Sequence, residues 1–403
     1  MPSPASSAGT PTVTLPFPRR AKYGAAERAA VLDLLDAGRL SDTGRGLAIA
    51  GLEDDFAATT DTRHALSFNS GTASLHAALH AVGAGPDAGI IMSPMTWISA
   101  ILVAFHAGSF PIFADLEPSG INLDPAAVPA AGHHGAVLVT HAFGIPAQMD
   151  ALTGQPAPVV EDCSHAHGAR YAGRPVGSWG AAGCFSLMER KAVSGGEGGI
   201  LTTNDRGVYE RAMTVGHHPH RLAAELTQPD LLALATTGLG YKTRMPTLAA
   251  VIARAQLAGL PARMAAAETN LARLTEVLDS NAAPVHTLPI ADGSVRGWYG
   301  TPLIVTAPVA DPDHLYAACQ AASVPVRRLY DDWLSSPLLH NPALLPGLFA
   351  HLRHSAWTPP DPQSFPHYMH ARRQTLLIKV PEVAAVDYMD QVGAALTAVL
   401  HRL

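Results

Sequence analysis

The chain has 403 residues, 48% hydrophobic and 15% charged, enough to bury one large core and a second, smaller one, so two domains are expected. Its net charge of -6 comes without a lysine cluster or a long run of like charge, which argues against a nucleic acid or an anionic membrane as partner. The three cysteines, Cys163, Cys184 and Cys319, lack metal-ligand spacing and are odd in number, so a reducing, cytoplasmic setting is expected rather than a disulfide framework.

Residues 1–20 are rich in Pro, Ser and Ala without a charged start followed by an apolar stretch, so residues 1–24 read as a flexible arm rather than a secretion signal. Apolar residues at helical spacing predict helices over 27–38 and 47–58, followed by a strand at 65–68. Ser70-Gly71-Thr72 then opens a helix whose Leu75, Ala78, Leu79 and Val82 form one stripe, ended by Gly83 and Gly85-Pro86. Residues 90–113 carry no Asp, Glu, Lys or Arg and are long enough to span about 30 Å as a helix. Pro94, Gly108 and Pro111 divide them, however, into a strand at 90–92, a helix at 98–106 and a strand at 111–114. Further strands are predicted at 136–140, 159–160, 183–186 and 200–203; short apolar strands interleaved with helices indicate an α/β domain with a mostly parallel sheet covered on both faces.

After Pro246 a long helical stretch, 248–278, is broken or bent at Gly259 to Pro261 and reads as the spine between two domains. Strands at 300–305 and 376–380 with helices at 312–322 and 383–400 predict a small α+β domain. The division expected is an arm over 1–24, a large domain over 25–265 and a small domain over 266–403, with 337–366 as a long loop.

Lys191 is one of four lysines, with Lys22, Lys242 and Lys379, and it precedes the glycine-rich Gly195-Gly196-Glu197-Gly198-Gly199. An amine in a confined site can lose its proton and attack an aldehyde, so Lys191 is a candidate Schiff-base nucleophile; a surface lysine before a turn is the ordinary alternative. Ser70-Gly71-Thr72, following a strand directly, aims free amides and a hydroxyl at the sheet edge where anions bind, or is a plain helix cap. Glu161-Asp162 ends an apolar strand, with His165 three residues later; a carboxylate there can keep a heterocyclic nitrogen protonated, or it caps and pairs. Asp162 and Lys191 lie at the ends of separate strands and so can converge on one crevice. Trp97 can stack on a planar ring or sit half in the core, and Ser186 can bind a phosphate or be satisfied locally.

In order along the chain, Asn69-Ser70-Gly71-Thr72-Ala73, Met95-Thr96-Trp97, Glu161-Asp162-Cys163-Ser164-His165-Ala166-His167-Gly168-Ala169, Phe185-Ser186 with Lys191 and Gly196-Glu197-Gly198-Gly199, and Gly240-Tyr241-Lys242-Thr243-Arg244-Met245 resemble the DegT/DnrJ/EryC1/StrS family of pyridoxal-phosphate aminotransferases. The resemblance covers most of residues 25–275 and is weak beyond about 280. It implies the PLP-dependent transferase fold type I and a homodimer with shared active sites. It also implies a cofactor, pyridoxal 5'-phosphate, bound covalently by Lys191. Asp162 would pair with the ring nitrogen, His165 would approach the ring hydroxyl and Trp97 would stack on the ring. The phosphate would be held by Ser70, Gly71, Thr72 and Ser186, with Lys242 reaching it across the dimer where many relatives have Asn.

The expected reaction takes an amino group from glutamate or glutamine and gives it to a keto-sugar or keto-cyclitol. Other pyridoxal-phosphate chemistry on the same fold is the first rival, and a non-catalytic homologue the second. The sugar dehydratases of the family carry histidine in place of the Schiff-base lysine, so Lys191 speaks against that activity. Met188-Glu189-Arg190 is bulkier than the residues usual before this lysine and can reshape the substrate side. His217, His218 and His220 either line the acceptor side or form a solvated loop, and Arg327-Arg328 or Arg372-Arg373 either meet a diphosphate or are surface charge.

Overall fold

The computed structural model describes residues 12–129, 134–344, 346–348 and 357–402. Its main sheet contains β1 (His64–Phe68), β2 (Gly89–Met92), β3 (Pro111–Phe113), β4 (His134–Thr140) and β5 (Val159–Asp162). After a two-residue hairpin, β6 (Arg170–Tyr171) and β7 (Arg174–Pro175), β8 (Ala182–Ser186) and β9 (Gly199–Thr203) complete it in the order β1-β9-β8-β5-β4-β2-β3. The pairs from β3 through β2, β4 and β5 to β8 are parallel, whereas β9 is antiparallel to both β8 and β1. β9 runs against the rest because the loop from β8, residues 187–198, contains no crossover helix to carry the chain back across the sheet.

Both faces of this sheet are covered. Ile90 and Met92 point to one face with Leu138 and Val160, against Leu75 and Leu79 of the helix Gly71–Ala81 and Ile101 of the helix Ile98–His106. Ile91 points to the other with Val137, Val139 and Val159, against Met149 and Leu152. Two-sided burial explains why 90–113 is free of charge.

The smaller sheet is antiparallel throughout, formed by β10 (Val285–Thr287), β11 (Thr301–Val305), β12 (Val326–Arg327) and β13 (Thr375–Ile378) in the order β10-β11-β13-β12. Leu303, Val305 and Ile378 pack on Leu271, Leu274 and Leu278 of one helix and on Val392 and Leu396 of the helix Val386–Leu400. The expected spine is two helices, Thr247–Ala258 and Leu260–Ser280, that meet at Gly259, with Pro261 in the first turn of the second, where its missing N–H costs nothing. The elements unseen in the sequence include β6, β7 and β12, two residues each and too short to show a period, and the helix Arg206–Gly216, whose buried Glu210 interrupts the apolar pattern.

The expected flexible arm is corrected over its described part; residues 1–11 lie outside the described residues. Val13 is buried in the core of the small sheet and its amide donates to the Ala322 carbonyl at 3.0 Å, while Phe17 meets Tyr388 edge-on at 5.6 Å. Two apolar anchors hold a segment whose prolines left no periodicity to read. The 337–366 loop contains a buried Leu339 in a short helix, Pro337–His340, and its residues 345 and 349–356 lie outside the described residues.

One buried carboxylate ties β5 to the loop before β8. Glu161 Oε1 accepts the amides of Trp179 and Gly180, both at 2.8 Å, and Oε2 accepts the Gly177 amide at 2.7 Å and faces His141 Nε2 at 3.1 Å. Glu161→Gln turns one acceptor oxygen into a donor facing N–H groups, so unfolding in urea should show a loss of about 2–4 kcal/mol, the cost of stranding one or two buried amides. A loss below about 0.5 kcal/mol would remove the carboxylate's structural role.

Candidate active site

The carboxyl ends of β4, β5 and β8 stand side by side, with Thr140 opposite Asp162 and Asp162 opposite Cys184. This edge opens into a cavity of about 400 Å³ lined by Ser70, Gly71, Thr72, Trp97, Asp162, His165, Ser186 and Lys191, every site residue expected from the sequence except Lys242. Parallel strand ends gather ligand groups in this way because each strand delivers its last side chain to one edge.

At one part of the wall Ser70 caps the helix Gly71–Ala81: its Oγ accepts the Ala73 amide at 3.1 Å and donates to Asn69 at 3.4 Å. Its hydroxyl is therefore used within the protein. The amides of Gly71 and Thr72 have no carbonyl one turn back to meet, and together with the Thr72 and Ser186 side chains they line the end of the cavity that could hold an anion. A Cβ on Gly71 would come within 2.8 Å of Ser186 Cβ, so only glycine lets the helix start this close to β8.

Asp162 Oδ1 accepts the Ser164 amide at 3.0 Å, and its second oxygen has no protein partner among the described residues. Lys191 is buried, and its Nζ lies 4.3 Å from the centre of the Tyr299 ring. Burial pushes its pKa down to about 8, the nearby Asp162 charge opposes that shift, and Arg327 adds to it. The loop is shaped for this: the Lys191 amide donates to Met188 O at 2.9 Å, Gly195 returns to Leu187 O at 3.0 Å, and Gly196 takes a φ of +87° that other residues resist.

His165 stacks on Tyr299, with ring centres 3.7 Å apart and an 8° tilt, and its Nδ1 lies 2.9 Å from the Tyr330 hydroxyl. Burial, reinforced by Lys191 and Arg327, holds its pKa well below the usual value, so the ring is neutral at pH 7. Trp97 stands at the mouth, 50% exposed, edge-on to Trp333 at 5.5 Å and tilted against Tyr330 at 5.8 Å. Tyr299 and Tyr330 were not singled out from the sequence: both come from the part of the chain that carries the small sheet, 165 residues beyond His165 in the case of Tyr330, and neither sits in a motif. Met188 and Arg190 also line the cavity, so the bulky stretch before Lys191 does face it in part.

Other expectations fall elsewhere. Lys242 is exposed, next to Tyr241 at 57% and near Leu239 at 41% exposure, and does not line the cavity of its own chain. His217, His218 and His220, read as either an acceptor-side wall or a solvated loop, do not line it either. His217 is buried edge-on to Phe68, His218 caps the helix Pro219–Glu225, and His220 meets Thr43. The physical reason is Arg221, drawn into a buried pair with Glu53 at 2.8 Å that pulls the whole loop away. Arg328 pairs with Asp313 at the surface, and Arg372 donates to the Tyr330 carbonyl at 2.6 Å. His141, Glu161 and Cys163 bring ligand-type atoms within 4.8 Å of one another. Glu161 already has its four hydrogen bonds and burial holds the Cys163 thiol protonated, so the trio is a structural knot.

A strand-edge cavity with a buried low-pKa lysine, a carboxylate and a helix N-terminus defines a site for covalent carbonyl chemistry beside an anion cradle. Residues 22–375 match the model of the DegT/DnrJ/EryC1/StrS aminotransferase family, and the chain belongs to that family. It is 32% identical over 292 residues to the L-glutamine:2-deoxy-scyllo-inosose aminotransferase of Streptomyces lividus, an alignment covering 69% of each chain. A further relative of the same name, from Micromonospora echinospora, is 36% identical over 193 residues, 45% of this chain and 46% of that one. Among solved structures, an aminotransferase from Psychrobacter cryohalolentis superposes with a TM-score of 0.81 at 23% identity, over 96% of this chain and 99% of that one. An E. coli GDP-4-keto-6-deoxy-D-mannose-3-dehydratase with bound hydrated PLP gives 0.76 at 16% identity, over 94% and 99%. The architecture is fold type I of the PLP-dependent transferases.

The depressed Lys191 amine makes a direct expectation. Because its cation is the disfavoured form, the free base should appear as pH rises through about 8 rather than 10.5, read as the pH dependence of Lys191 acylation by an amine-reactive ester and peptide mapping. Asp162 favours the cation, so Asp162→Asn should move the midpoint lower still; a midpoint near 10.5 in the unsubstituted protein would contradict the burial argument.

Proposed function

We propose that this protein is a pyridoxal-phosphate-dependent aminotransferase that moves an amino group from glutamate or glutamine to a keto-cyclitol or keto-sugar. The observation that supports it most is Lys191 in one cavity with the unpartnered oxygen of Asp162 and the free helix amides of Gly71 and Thr72. These residues fit the cofactor: the cradle beside Ser186, where glycine is obligatory, suits its phosphate, the carboxylate suits its ring nitrogen and the amine suits its aldehyde. The glutamine and inosose named for the relatives favour the cyclitol reading.

When bound, the cofactor supplies an electron sink for the charge left on the donor's Cα. Asp162 would keep the ring nitrogen protonated by placing a negative charge beside it. Lys191 would hold the cofactor through Nζ and, once released by the incoming amine, take the proton from the donor's Cα; a pKa near neutral suits an atom that must both accept and return a proton. His165, neutral and fixed by Tyr330 and Tyr299, would face the ring hydroxyl as a hydrogen-bonding group without adding a cation to the site. Trp97 would cover the ring at the mouth and limit water.

The reading includes a homodimer. Lys242 is exposed in a segment with exposed Leu239 and Tyr241, which favours burial against a second copy, with Lys242 delivered to the partner's phosphate site. Among the described residues no helix is long and apolar enough to cross a membrane, and the three cysteines are free and buried, in keeping with work in the cytoplasm.

Borohydride reduction of the protein incubated with pyridoxal phosphate should fix the cofactor's mass on the peptide bearing Lys191, and Lys191→Ala should abolish both the adduct and amino transfer, with kcat down by about 10³ or more. Single-turnover conversion with glutamine and glutamate, followed by reversal with a panel of keto-cyclitols and keto-sugars, identifies donor and acceptor. If no amino donor consumes the bound cofactor's aldehyde, transamination is wrong.

A further inference from the structure

A second cavity, of about 540 Å³, adjoins the first and shares Lys191 and Tyr299 with it; Arg19, Lys22, Arg327 and Lys379 also line it. From this side Lys22, one of the chain's four lysines, reaches the turn that bears Lys191: its Nζ donates to the Lys191 carbonyl at 2.7 Å. Arg263, on the helix Leu260–Ser280, donates to the next carbonyl, that of Ala192, at 2.6 Å. The Tyr23 hydroxyl lies 3.2 Å from Ser194 Oγ, which in turn accepts the Gly196 amide at 3.0 Å. A Cβ on Gly195 would come within 2.5 Å of the Ala249 carbonyl, so the turn also lies directly against the helix Thr247–Ala258.

Lys22 is not a loose side chain resting on the nearest acceptor. Its own carbonyl accepts Gln256 Nε2 at 2.9 Å and an Arg20 N–H at 3.1 Å, and Gln256 is fully buried. Lys22 is half-buried; burial pushes its pKa down to about 8, Glu382 opposes that shift, and Arg20 and Arg263 add to it. A charged donor in such a place holds a carbonyl more tightly than a solvated one does. The consequence is geometric. The Lys191 amide is already fixed on the Met188 carbonyl at 2.9 Å, and a planar peptide held at its oxygen resists turning. With Lys22 on the Lys191 carbonyl, both peptide planes that flank the Lys191 Cα are set, and together they set the direction of its Cα–Cβ bond.

We propose that Lys22 is a positioning residue for Lys191: it pins the peptide that follows Lys191, beside the carbonyl held by Arg263, and so aims the Lys191 amine into the strand-edge cavity. The N-terminal segment thereby acts on that amine through the backbone. The role rests on the cofactor reading only in what the amine goes on to do; the clamp on the turn does not depend on it.

Hydrogen–deuterium exchange of the full-length protein without added cofactor, read on peptides covering residues 187–198, tests the clamp. Lys22→Met, which keeps the stem and removes the donor, should speed exchange in this segment about tenfold or more, while peptides from β4 and β5 exchange as in the unsubstituted protein. Lys22→Arg, which keeps a charged donor, should restore most of the protection. Lys379→Met, at a lysine of the same cavity that lies over the Phe17 ring instead, should leave the segment unchanged. The aim of the amine is read by borohydride trapping of the Lys191 adduct against pyridoxal phosphate concentration. Lys22→Met should lower the saturating rate about fivefold or more and move the half-saturating concentration by about twofold at most, because the Gly71–Ser186 cradle is untouched; Thr72→Ala should do the reverse. The proposal is overturned if Lys22→Met leaves exchange in the segment as it was, if exchange rises but the saturating rate does not fall, or if Lys22→Arg recovers neither. Unsubstituted protein that forms no adduct sinks the cofactor assignment, and the clamp then stands or falls on the exchange alone.

Discussion

The side-by-side pairing of β5 and β8 is the constraint on which the rest of the site depends. Asp162 is the last residue of β5, and Ser186 the last of β8, so their register fixes the distance between the carboxylate and the loop that bears Lys191. Glu161, one residue earlier, holds that pairing from inside by accepting amides from the loop that leads into β8. A charge buried this deeply is tolerated because four donors meet it. Two adjacent carboxylates thus divide their work by the alternation of a strand: Glu161 faces the protein, Asp162 the cavity.

Electrostatics at the cavity follow from burial. Lys191 and His165 are both pushed toward their neutral forms, because each would otherwise be a cation in a low-dielectric pocket alongside Arg327. Asp162 is the one charge that pulls the other way on Lys191. The balance leaves an amine that changes state near pH 8 instead of one locked as ammonium. Tyr299 organises this group: it stacks on His165, lies under Lys191 and passes its carbonyl to Arg327.

Tyr299 lines both cavities, so the part of the chain that carries the small sheet and the N-terminal segment both contribute to their walls. Val13 and Phe17 anchor that segment on the small sheet's core, which brings Arg19 and Lys22 to the second cavity. Its cations come from four places far apart in sequence, residues 19–22, 190–191, 327 and 379. No run of like charge marks them. The chain is acidic overall and still concentrates positive charge at one point.

The strands of the main sheet were legible because each is an apolar run bounded by Gly, Pro or Asp, and two-sided burial leaves that signature. Asp162, His165, Ser186, Lys191 and Gly71-Thr72 were legible for a related reason: each sits at the end of such a strand or the start of the helix after it, where local sequence and position in the sheet are coupled. Short pieces such as β12 carry no period. The choice between the two readings of the histidines near 217 was not legible, because the buried Glu53–Arg221 pair beside them joins residues 168 apart. By itself, then, the sequence determined the α/β order, the candidate lysine and the groups at the strand ends, since these rest on local periodicity and nearest-neighbour motifs. Tertiary structure alone decided the Tyr299 and Tyr330 wall, the partnering of Glu161, and the gathering of Arg19, Arg327 and Lys379, because those depend on long-range packing that brings distant charges and rings to one place.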